Sequence, residues 1–383
     1  MSLTSFEVRD IRTHKTLYQE NSKHKIYLFS ITKMFLSYVL MNYLDLDETF
    51  QTKIFYDGII QDKVLKGNLY IEGGGDPYLS PNTLLGLSFK IKNSLKKIQG
   101  QLFIKHYHFP KMEMISKEFP AEDAYNTSLS PLNFNWNRLP KNSIISFSEI
   151  ETTEKHVKDM PINNSEDVSK NYLEFLLNNI FEKKNLKKQE LHMLFIEKSP
   201  PLLAMIKNLM EYSNNLISEA LGYKLIHKQF PEERDKKSLD KKLKQLMEKE
   251  VSGLTFDKAS GLSSQNIMST KHILDFLQKN YNSLIKGESF LSIFPAKSYA
   301  NLKKPFQIYT KTGTAHFAIS IAGYLITEKK NEIIFSYSNY DPKKRILLSK
   351  NPNNQKLIKE AELFYKEAKK KEEDFILKIF HQY

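Results

Sequence analysis

Alternating and helical spacings of apolar residues divide the chain into stretches of predicted strand and predicted helix. Residues 5–29 alternate apolar and polar positions on either side of a polar Thr13–Lys15, which predicts a β-hairpin. From Ser30 to about Tyr43 the apolar residues recur at helical spacing, and Ser30 stands near the N-cap of this predicted helix. The chain therefore opens with two strands and a helix.

The remaining pattern changes from β-rich to helical and then returns to strands. Residues 50–180 are β-rich, with short apolar pieces separated by Gly, Asp and Pro. Helical patterns occupy residues 200–285, with a break around Tyr212–Asn215 and a loop at residues 256–266. Three predicted strands follow, and a helix from about Asn354 to Phe380 ends the pattern.

Predicted strands at both ends of the chain flank the helical stretch. These strands can form one antiparallel sheet that is covered by the terminal helices, which is an α+β arrangement. We therefore predict that residues 1–50 and 180–383 form one domain with antiparallel sheet and helices. Residues 51–179 are predicted to form a β-rich insertion of one or more domains.

The composition is that of a globular protein with an excess of positive charge. The 383 residues are 40% hydrophobic, which is enough for a sizeable core. Lys and Arg number 57 against 44 Asp and Glu, and this excess favours an anionic surface, polymer or nucleic acid as partner. The densest basic runs, residues 183–189 and 366–375, include carboxylates or lie in helical patterns, so we interpret them as solvated faces.

Several kinds of site are excluded by residue type. The chain has no Cys, which rules out disulfides, thiolate metal sites and a cysteine nucleophile. The ten His residues contain no HExxH pair, and we predict no metal and no cofactor. The glycine run at residues 73–77 lacks the Lys and Ser or Thr of a phosphate loop, so we interpret it as a turn. No apolar run reaches about 18 residues, so no transmembrane span is predicted.

Ser30 and Lys33 form an SxxK motif at the start of the first predicted helix. Residues three apart share a helix face, so the Lys33 amine can reach the Ser30 hydroxyl and, if desolvated, act as its base. The helix N-terminus adds a positive field that favours an oxyanion. Taken alone, the pattern fits equally a helix cap followed by a solvated lysine.

Two further motifs lie far along the chain. Ser213–Asn215 reads SxN between two helical runs, where a loop can present a hydroxyl and an amide, or can simply interrupt a helix. Lys311–Gly313 reads KTG in a strand-like run, where Gly313 lets another backbone approach, as a peptide-like substrate requires. The alternative for KTG is a strand end with a bulge. The three motifs together, in this order and on these elements, make coincidence the poorer explanation.

The sequence resembles the low-molecular-mass class C penicillin-binding proteins, the D-alanyl-D-alanine carboxypeptidases and endopeptidases of the penicillin-binding protein 4 type. Besides the three motifs, the resemblance rests on VLKGNLYIEGGGDPYLS (64–80), AYNTSLSPLNFNWN (124–137), SNNLISEALG (213–222), ASGLSSQN (259–266) and KTGTAHFAISIAGYL (311–325). It implies the serine β-lactamase/DD-peptidase, transpeptidase-like fold. The family inserts extra domains between SxxK and SxN, which agrees with an insertion at residues 51–179 and makes the rest of the chain the catalytic domain.

The resemblance implies a role for each catalytic motif residue. Ser30 is expected to be the nucleophile, acylated by the penultimate D-alanine of a peptidoglycan stem peptide, and Lys33 its general base. Ser213 and Asn215 are expected to relay protons and to hold the substrate amide. Lys311 is expected to help electrostatically.

The resemblance also implies a set of substrate-binding residues around the KTG motif. Thr312 is expected to bind the terminal carboxylate, beside Gly313. The backbone N–H groups of Ser30 and Thr314 are expected to form the oxyanion hole. His316 stands where the family has a small or polar residue, which leaves the preference for the substrate side chain open.

Two other departures from the family pattern lie near the motifs. Leu28 and Phe29 precede the serine, where the family usually has Pro and Ala. The loop that usually reads DGSGL reads DKASGL here, with Lys258 in a new place. None of these departures removes a catalytic group.

We therefore expect a serine-type D-Ala-D-Ala carboxypeptidase, a DD-endopeptidase, or both, with β-lactams as covalent inhibitors and no nucleic acid partner. The alternatives are a catalytically inactive wall-binding protein of the same fold, a β-lactamase or esterase-like serine hydrolase and, on charge alone, a nucleic-acid-binding protein. The substrate implies a periplasmic or extracytoplasmic protein, for which peripheral association with the wall or the membrane surface is an option we keep open. Because MSLTSFEVRD lacks signal-peptide features, we expect a signal to have been removed.

Overall fold

The computed structural model describes residues 2–105, 109–140, 159–297, 307–327 and 329–383. Within these residues the helices are α1 (Thr32–Tyr43), α2 (Pro81–Ser94), α3 (Ser165–Leu177), α4 (Leu202–Tyr212), α5 (Asn215–Gln229), α6 (Lys236–Glu250), α7 (Thr270–Asn280), α8 (Pro342–Lys350) and α9 (Gln355–Gln382). Three short 3₁₀ turns span Phe29–Ile31, Asn135–Asn137 and Phe290–Ile293.

The strands of the described residues range from two to nine residues in length. They are β1 (Leu3–Asp10), β2 (Thr16–Glu20), β3 (Lys25–Tyr27), β4 (Gln51–Asp57), β5 (Ile59–Gln61), β6 (Val64–Lys66), β7 (Leu69–Gly73), β8 (Lys97–Ile98), β9 (Leu102–Ile104), β10 (Arg138–Pro140), β11 (Asp159–Pro161), β12 (Leu191–Lys198), β13 (Ile267–Ser269), β14 (Leu284–Ile285), β15 (Glu288–Ser289), β16 (Ala296–Lys297), β17 (Ile308–Ala315), β18 (Ala318–Ile326) and β19 (Glu332–Tyr340).

The chain forms two compact units. The first comprises Met1–Leu46, Ser116–Pro120 and Leu203–Tyr383, and the second comprises Asp47–Ile115 and Ala121–Leu202. The sequence placed the borders after residues 50 and 179, whereas β12 pairs with β4 inside the second unit. The assignment of catalysis to one part and of an insertion to the other stays a prediction.

The first unit is built on a six-stranded antiparallel sheet in the order β16-β17-β18-β19-β1-β2. The N-terminal strand β1 pairs with β19, from Leu3 opposite Tyr340 to Asp10 opposite Ile333. This pairing is the predicted union of strands from both ends of the chain. The central strands β18 and β19 are buried along nearly their whole length because both of their faces are covered. The sequence of β18 is accordingly apolar on both faces, apart from Ser320, whereas β19 alternates Phe335 and Tyr337 with the buried Ser336 and Ser338.

Helix α9 covers one face of this sheet. Asn354 caps its N-terminus by accepting a hydrogen bond from the backbone N–H of Leu357. The buried residues Ala361, Ala368 and Phe375 recur every seven positions, and this spacing gives a single apolar stripe. Phe375 packs against Phe6 of β1 and other buried rings of the sheet. The predicted C-terminal helix therefore forms with its apolar side on the core.

The second unit has a four-stranded sheet in the order β12-β4-β7-β9 and a three-stranded sheet in the order β5-β6-β8. Helices α2 and α3 bury Leu84, Leu87 and Leu173 against Ile54 and Ile71 of the larger sheet. Neither helix was predicted, because Gly, Asp and Pro around α2 indicated turns and the stretch to residue 180, which contains α3, was interpreted as β-rich. The signal for α2 is nevertheless present, since Ser80 caps it and proline occupies its first turn.

No helix among the described residues is both long enough and apolar enough to cross a membrane.

We predict that Phe375→Ala destabilises the first unit by about 3 to 5 kcal/mol, the usual cost of emptying a buried phenyl site. Phe375 lies 5.1 Å from the Phe6 ring and 4.8 Å from the Tyr337 ring, between centroids. The matched control is Leu363→Ala on the same helix, where the side chain is 64% exposed. Urea denaturation followed by circular dichroism measures both variants, and equal losses would show that α9 does not depend on this contact.

Candidate active site

Ser30 lies in a 3₁₀ turn that leads directly into helix α1. The turn spans Phe29–Ile31, and the N-cap of α1 is Ile31, which makes no side-chain capping bond. Ser30 lies next to the N-cap residue of α1, as expected, but its hydroxyl does not cap the helix. Phe29 adopts φ of 43°, a left-handed backbone that is strained for a phenylalanine. The serine hydroxyl is therefore presented by a tight turn rather than used in capping.

The Lys33 amine is completely buried and is surrounded by oxygen atoms. Its Nζ donates to Ser30 Oγ at 2.9 Å, to Asn215 Oδ1 at 2.8 Å and to the carbonyl oxygen of Ser260. A protonated amine has three N–H donors, one for each of these oxygens. A neutral amine has two donors and a lone pair, which can accept the proton of the Ser30 hydroxyl. The predicted SxxK pair therefore has the geometry of a nucleophile and its base.

The charge of Lys33 is disfavoured by its surroundings. Burial lowers the pKa of the Lys33 amine well below its ordinary value, and the positive charge of Lys311 lowers it further. Glu219 acts in the opposite direction because its carboxylate favours a positive neighbour. The net lowering of the pKa allows the amine to be neutral, as a general base must be, at a pH where an exposed lysine is protonated.

Glu219 is a buried carboxyl group that the sequence analysis did not select. It follows Asn215 by four residues on α5, so both side chains lie on one helix face. Its Oε1 accepts a hydrogen bond from the backbone N–H of Ser260 at 2.8 Å. Burial raises the pKa of the Glu219 carboxyl group, and the positive charge of Lys258 opposes this rise. The same Ser260 residue thus contacts Glu219 through its N–H and Lys33 through its carbonyl.

The SxN motif lies in the connection between α4 and α5, as predicted. Ser213 follows the last residue of α4 and adopts φ of 57°, a second left-handed residue that is not glycine. Asn214 is the N-cap of α5 and accepts a hydrogen bond from the backbone N–H of Ile217. Ser213 Oγ accepts a hydrogen bond from Lys311 Nζ at 2.9 Å. The tight turn therefore directs Asn215 to Lys33 and Ser213 to Lys311.

The KTG motif lies on strand β17, next to the turn that carries Ser30. A Cβ atom on Gly313 would lie 2.2 Å from the carbonyl oxygen of Leu28, so only glycine fits there. Ser320 on the neighbouring strand donates to the carbonyl oxygens of Gly313, at 3.3 Å, and of Leu28, at 3.4 Å. The sequence predicted a close backbone approach at Gly313, and the backbone found there is the chain's own Leu28.

The substrate-binding candidates follow along β17 and its turn. Thr312 is half-buried and Thr314 is exposed, and alternation along the strand places both on one face, with Lys311 and Gly313 on the other. His316 lies in the turn between β17 and β18, immediately before Phe317. Direct hydrogen bonds thus join Ser30, Lys33 and Asn215 in one group and Ser213 with Lys311 in another. The substrate roles of Thr312, Thr314 and His316 stay predictions.

The loop that carries Ser260 fits closely against the start of α1. Gly261 adopts φ of 79°, and a Cβ atom there would lie 1.8 Å from the carbonyl oxygen of Phe29. The Asn266 amide donates to Thr32 Oγ1 at 3.0 Å and to the carbonyl oxygen of Lys258. This loop, which the sequence pattern predicted at residues 256–266 without assigning it a role, supplies the backbone oxygen that completes the surroundings of Lys33.

Groups of three or more His, Asp or Glu side chains that could hold a metal ion do not occur in the part of the chain that the structure describes. The polar groups at the site place a hydroxyl beside a buried amine, a pair of groups of the kind that covalent acyl transfer uses.

Comparison with known families gives a match over most of the chain. The model of the D-Ala-D-Ala carboxypeptidase 3 (S13) family matches residues 2–144 and 181–352. Both parts of the match contain motifs described above: SxxK lies in the first, and SxN and KTG lie in the second. No curated protein sequence matches the chain significantly.

Solved structures provide a second comparison. Penicillin-binding protein 4 from Haemophilus influenzae matches with a TM-score of 0.71 and 18% sequence identity, over 88% of this chain and 90% of the other. A predatory endopeptidase from Bdellovibrio bacteriovorus, acylated with penicillin G and in complex with an immunity protein, matches with a TM-score of 0.53 and 18% identity, over 96% and 93%. At 18% identity the structural similarity establishes the fold alone. The predicted α+β fold of the DD-peptidase type is confirmed.

We predict that Gly261→Ala destabilises the first unit by about 2 to 5 kcal/mol. The left-handed backbone costs about 1 to 2 kcal/mol for alanine, and overpacking by the added methyl group costs about 1 to 3 kcal/mol. The control is Gly287→Ala, because Gly287 has a similar φ of 84° but no atom within 4 Å of the added methyl group. Thermal unfolding should therefore separate the clash from the backbone strain. Equal losses in the two variants would contradict a close contact between this loop and Phe29.

Proposed function

The chain belongs to the D-Ala-D-Ala carboxypeptidase 3 (S13) family and is a serine peptidase, and we propose that it cleaves the D-alanyl bonds of peptidoglycan peptides through an acyl-enzyme on Ser30. The observation that carries this proposal is the 2.9 Å hydrogen bond between the Ser30 hydroxyl and the amine of Lys33. That amine is fully buried, and its pKa is lowered.

Acylation begins when Ser30 Oγ attacks the carbonyl carbon of the penultimate D-alanine. Lys33 Nζ accepts the hydroxyl proton as the new C–O bond forms, and the carbonyl oxygen becomes an oxyanion. The backbone N–H groups of Ser30 and Thr314 stabilise this oxyanion. When the intermediate collapses, the C–N bond breaks and the amine of the leaving residue takes up a proton. The acyl group then remains on Ser30 as an ester.

Ser213 and Lys311 provide the route for the proton that the leaving amine needs. The Lys311 ammonium donates to Ser213 Oγ at 2.9 Å, which orients the hydroxyl hydrogen away from Lys311. Ser213 can then pass a proton to the leaving nitrogen and receive one from the Lys33 side. Deacylation repeats the sequence with water as nucleophile and Ser30 as leaving group, so the enzyme returns to its starting protonation state.

Substrate positioning is assigned to β17 and to Asn215. Strand β16 pairs with β17 at Ile308 and Tyr309, and β17 continues beyond this pairing to Ala315. A peptide can add to the later part of the strand as a β-strand. Thr312 binds the terminal carboxylate, and Asn215 holds the substrate amide. His316, at the end of the strand, borders the substrate side chain and contributes to its selection.

The same acylation step serves two substrates. A monomeric stem peptide would lose its terminal D-alanine, and a cross-linked dimer would be cut at the D-alanyl bond of the cross-link. β-Lactams would acylate Ser30 in the same way and be released slowly. The Haemophilus protein has a structure in complex with a β-lactam, and the Bdellovibrio endopeptidase is acylated with penicillin G, which supports this part of the proposal.

The proposed substrate indicates the location of the enzyme and the roles of its two units. Peptidoglycan lies outside the cytoplasmic membrane, so we place the protein in the periplasm or another extracytoplasmic space. The formal net charge of +13 favours association with an anionic wall or membrane surface. Catalysis is assigned to the first unit, which contains all three motifs, and the second unit takes the place of the family's inserted domains.

Digestion of purified muropeptides, followed by mass spectrometry, tests this function. We predict loss of one D-alanine from monomers, conversion of dimers to monomers, or both, together with stable labelling by a fluorescent penicillin. Ser30→Ala should abolish labelling and reduce digestion by on the order of 10³-fold or more, because no acyl-enzyme can form. The control is Ser37→Ala on α1, the helix that follows the Ser30 turn. An unlabelled wild type would indicate an inactive protein, and rapid turnover of penicillin would indicate a β-lactamase.

We predict that the acylation rate rises with pH and levels off well below the ordinary pKa of lysine. Only neutral Lys33 can accept the serine proton, and burial beside Lys311 lowers the pKa of Lys33 in the folded enzyme. The neutral form therefore increases as pH rises through this lowered value. Labelling rates between about pH 5 and about pH 10 measure the profile, with circular dichroism as a check on folding. A midpoint near 10.5 would contradict the assignment of Lys33 as base.

A further inference from the structure

Arg345 is a fully buried cation that the proposed chemistry does not use. It lies on α8, and its exposed fraction is 0%. Its Nη2 donates to Glu118 Oε2 at 3.0 Å, and its Nε donates to Ser264 Oγ at 2.9 Å. Burial of a guanidinium is costly, and removal of its ion-pair partner would leave an uncompensated charge in the interior.

Glu118 connects this cation to the loop beside Lys33. Its Oε2 accepts hydrogen bonds from the Ser264 hydroxyl at 2.6 Å and from the Ser264 backbone N–H at 3.0 Å, and its Oε1 accepts one from Ser263 Oγ at 3.3 Å. These residues directly follow Ser260 and Gly261. The loop is therefore fixed at one end by Glu219 and at the other by Glu118 with Arg345.

The same guanidinium also packs against the turn that presents the nucleophile. Its carbon atom Cζ lies 4.5 Å from the ring centroid of Phe119 and 5.6 Å from that of Phe29. The two rings meet edge to face, 6.4 Å apart. Arg345 thus contacts Phe29, whose left-handed backbone immediately precedes Ser30, through cation–π interactions.

Helix α8 in turn is attached to the end of the KTG hairpin. The backbone N–H of Asp341, the N-cap of α8, donates to the carbonyl oxygen of Phe317 at 2.9 Å. The Asp341 side chain accepts a hydrogen bond from the backbone N–H of Lys344 at 3.0 Å, one residue before Arg345. The cation is therefore held at a defined place relative to β17 as well as to the Ser30 turn and the Ser260 loop.

We propose that Arg345 and Glu118 are positioning residues, which hold the Phe29–Ser30 turn and the loop at 259–264 in register so that Ser30, Lys33 and the Ser260 carbonyl meet. This inference rests on the proposed function for its catalytic consequence. Neither side chain touches the reacting atoms, and both act through the backbone segments that carry them. Misplacement of a catalytic group by about 1 Å costs on the order of 100-fold in rate, so loss of this ion pair should slow acylation rather than weaken binding.

The test compares Arg345→Met and Glu118→Gln with the wild type. Both variants remove one charge and keep much of the side-chain bulk. The matched control is Arg9→Met, which removes another buried cation of the first unit together with its ion pairs to Glu7 on β1 and Asp275 on α7. Circular dichroism identifies variants that fail to fold. The two test variants change opposite partners of the Arg345–Glu118 ion pair, so the test requires only one of them to fold.

Hydrogen–deuterium exchange gives a readout that does not depend on catalysis. We expect faster exchange in the peptides covering residues 27–31 and 257–266 in both test variants, and wild-type exchange there in Arg9→Met. Labelling with fluorescent penicillin gives the catalytic readout. The acylation rate constant at saturating penicillin should fall by about tenfold or more, while the penicillin concentration at half-maximal rate stays unchanged.

Each outcome distinguishes the inference from the function on which it rests. Unchanged exchange in both segments would overturn the positioning role, and so would faster exchange with acylation equal to that of Arg9→Met. A parallel loss in Arg9→Met would show a general effect of destabilisation and would also overturn it. If the wild type itself is not labelled, the proposed acyl-enzyme fails, and the exchange measurement still decides whether Arg345 holds the two segments.

Discussion

The site depends on one constraint, the burial of the Lys33 amine away from water. Transfer of a charged ammonium into a protein interior costs several kcal/mol, so the fold must supply oxygen partners and must also permit the neutral form. Ser30, Asn215 and the Ser260 carbonyl supply these partners from three separate segments of the chain. Because each partner belongs to a different element, the base exists only in the folded protein. The lowered pKa of Lys33 is a property of the assembled unit rather than of the SxxK motif.

Two residues with unusual backbone geometry lie at the same site. Phe29 and Ser213 are left-handed residues with side chains, and each such residue costs about 1 to 3 kcal/mol unless its surroundings hold it. Phe29 precedes the nucleophile, and Ser213 turns the chain between α4 and α5 so that Asn215 and Ser213 face different partners. Gly261 and Gly313 meet the turn around Phe29 at distances that exclude a Cβ atom. The tight packing of these segments offsets the strain that presents the hydroxyl.

The sequence predicted those strands, helices and motif positions that depend on local residue patterns. Strong periodicity defined β17, β18, β19 and α9, and the order of the three motifs indicated that they meet. Helix α2 was missed because turn-forming residues around it outweighed its helical signal, and α3 was missed because the stretch to residue 180 was interpreted as β-rich. The Ser260 carbonyl could not be predicted, because a backbone oxygen has no sequence signature. Glu219 had one available signal, its position four residues after Asn215. Arg345 and Glu118 had no signal in the sequence, because their contact joins positions 227 residues apart.

Two of the departures from the family pattern, Phe29 and Lys258, have a physical explanation in this fold. A phenylalanine stands where the family has a small residue before the serine, and its large ring requires partners. Phe119 and the Arg345 guanidinium supply them, and the same guanidinium carries the ion pair to Glu118. Lys258, the other new residue, places a positive charge near Glu219 and opposes the rise in the pKa of that carboxyl group. These two positions therefore act on the same loop and turn that hold Ser30 and Lys33, and the Ser30–Lys33 hydrogen bond is present beside them.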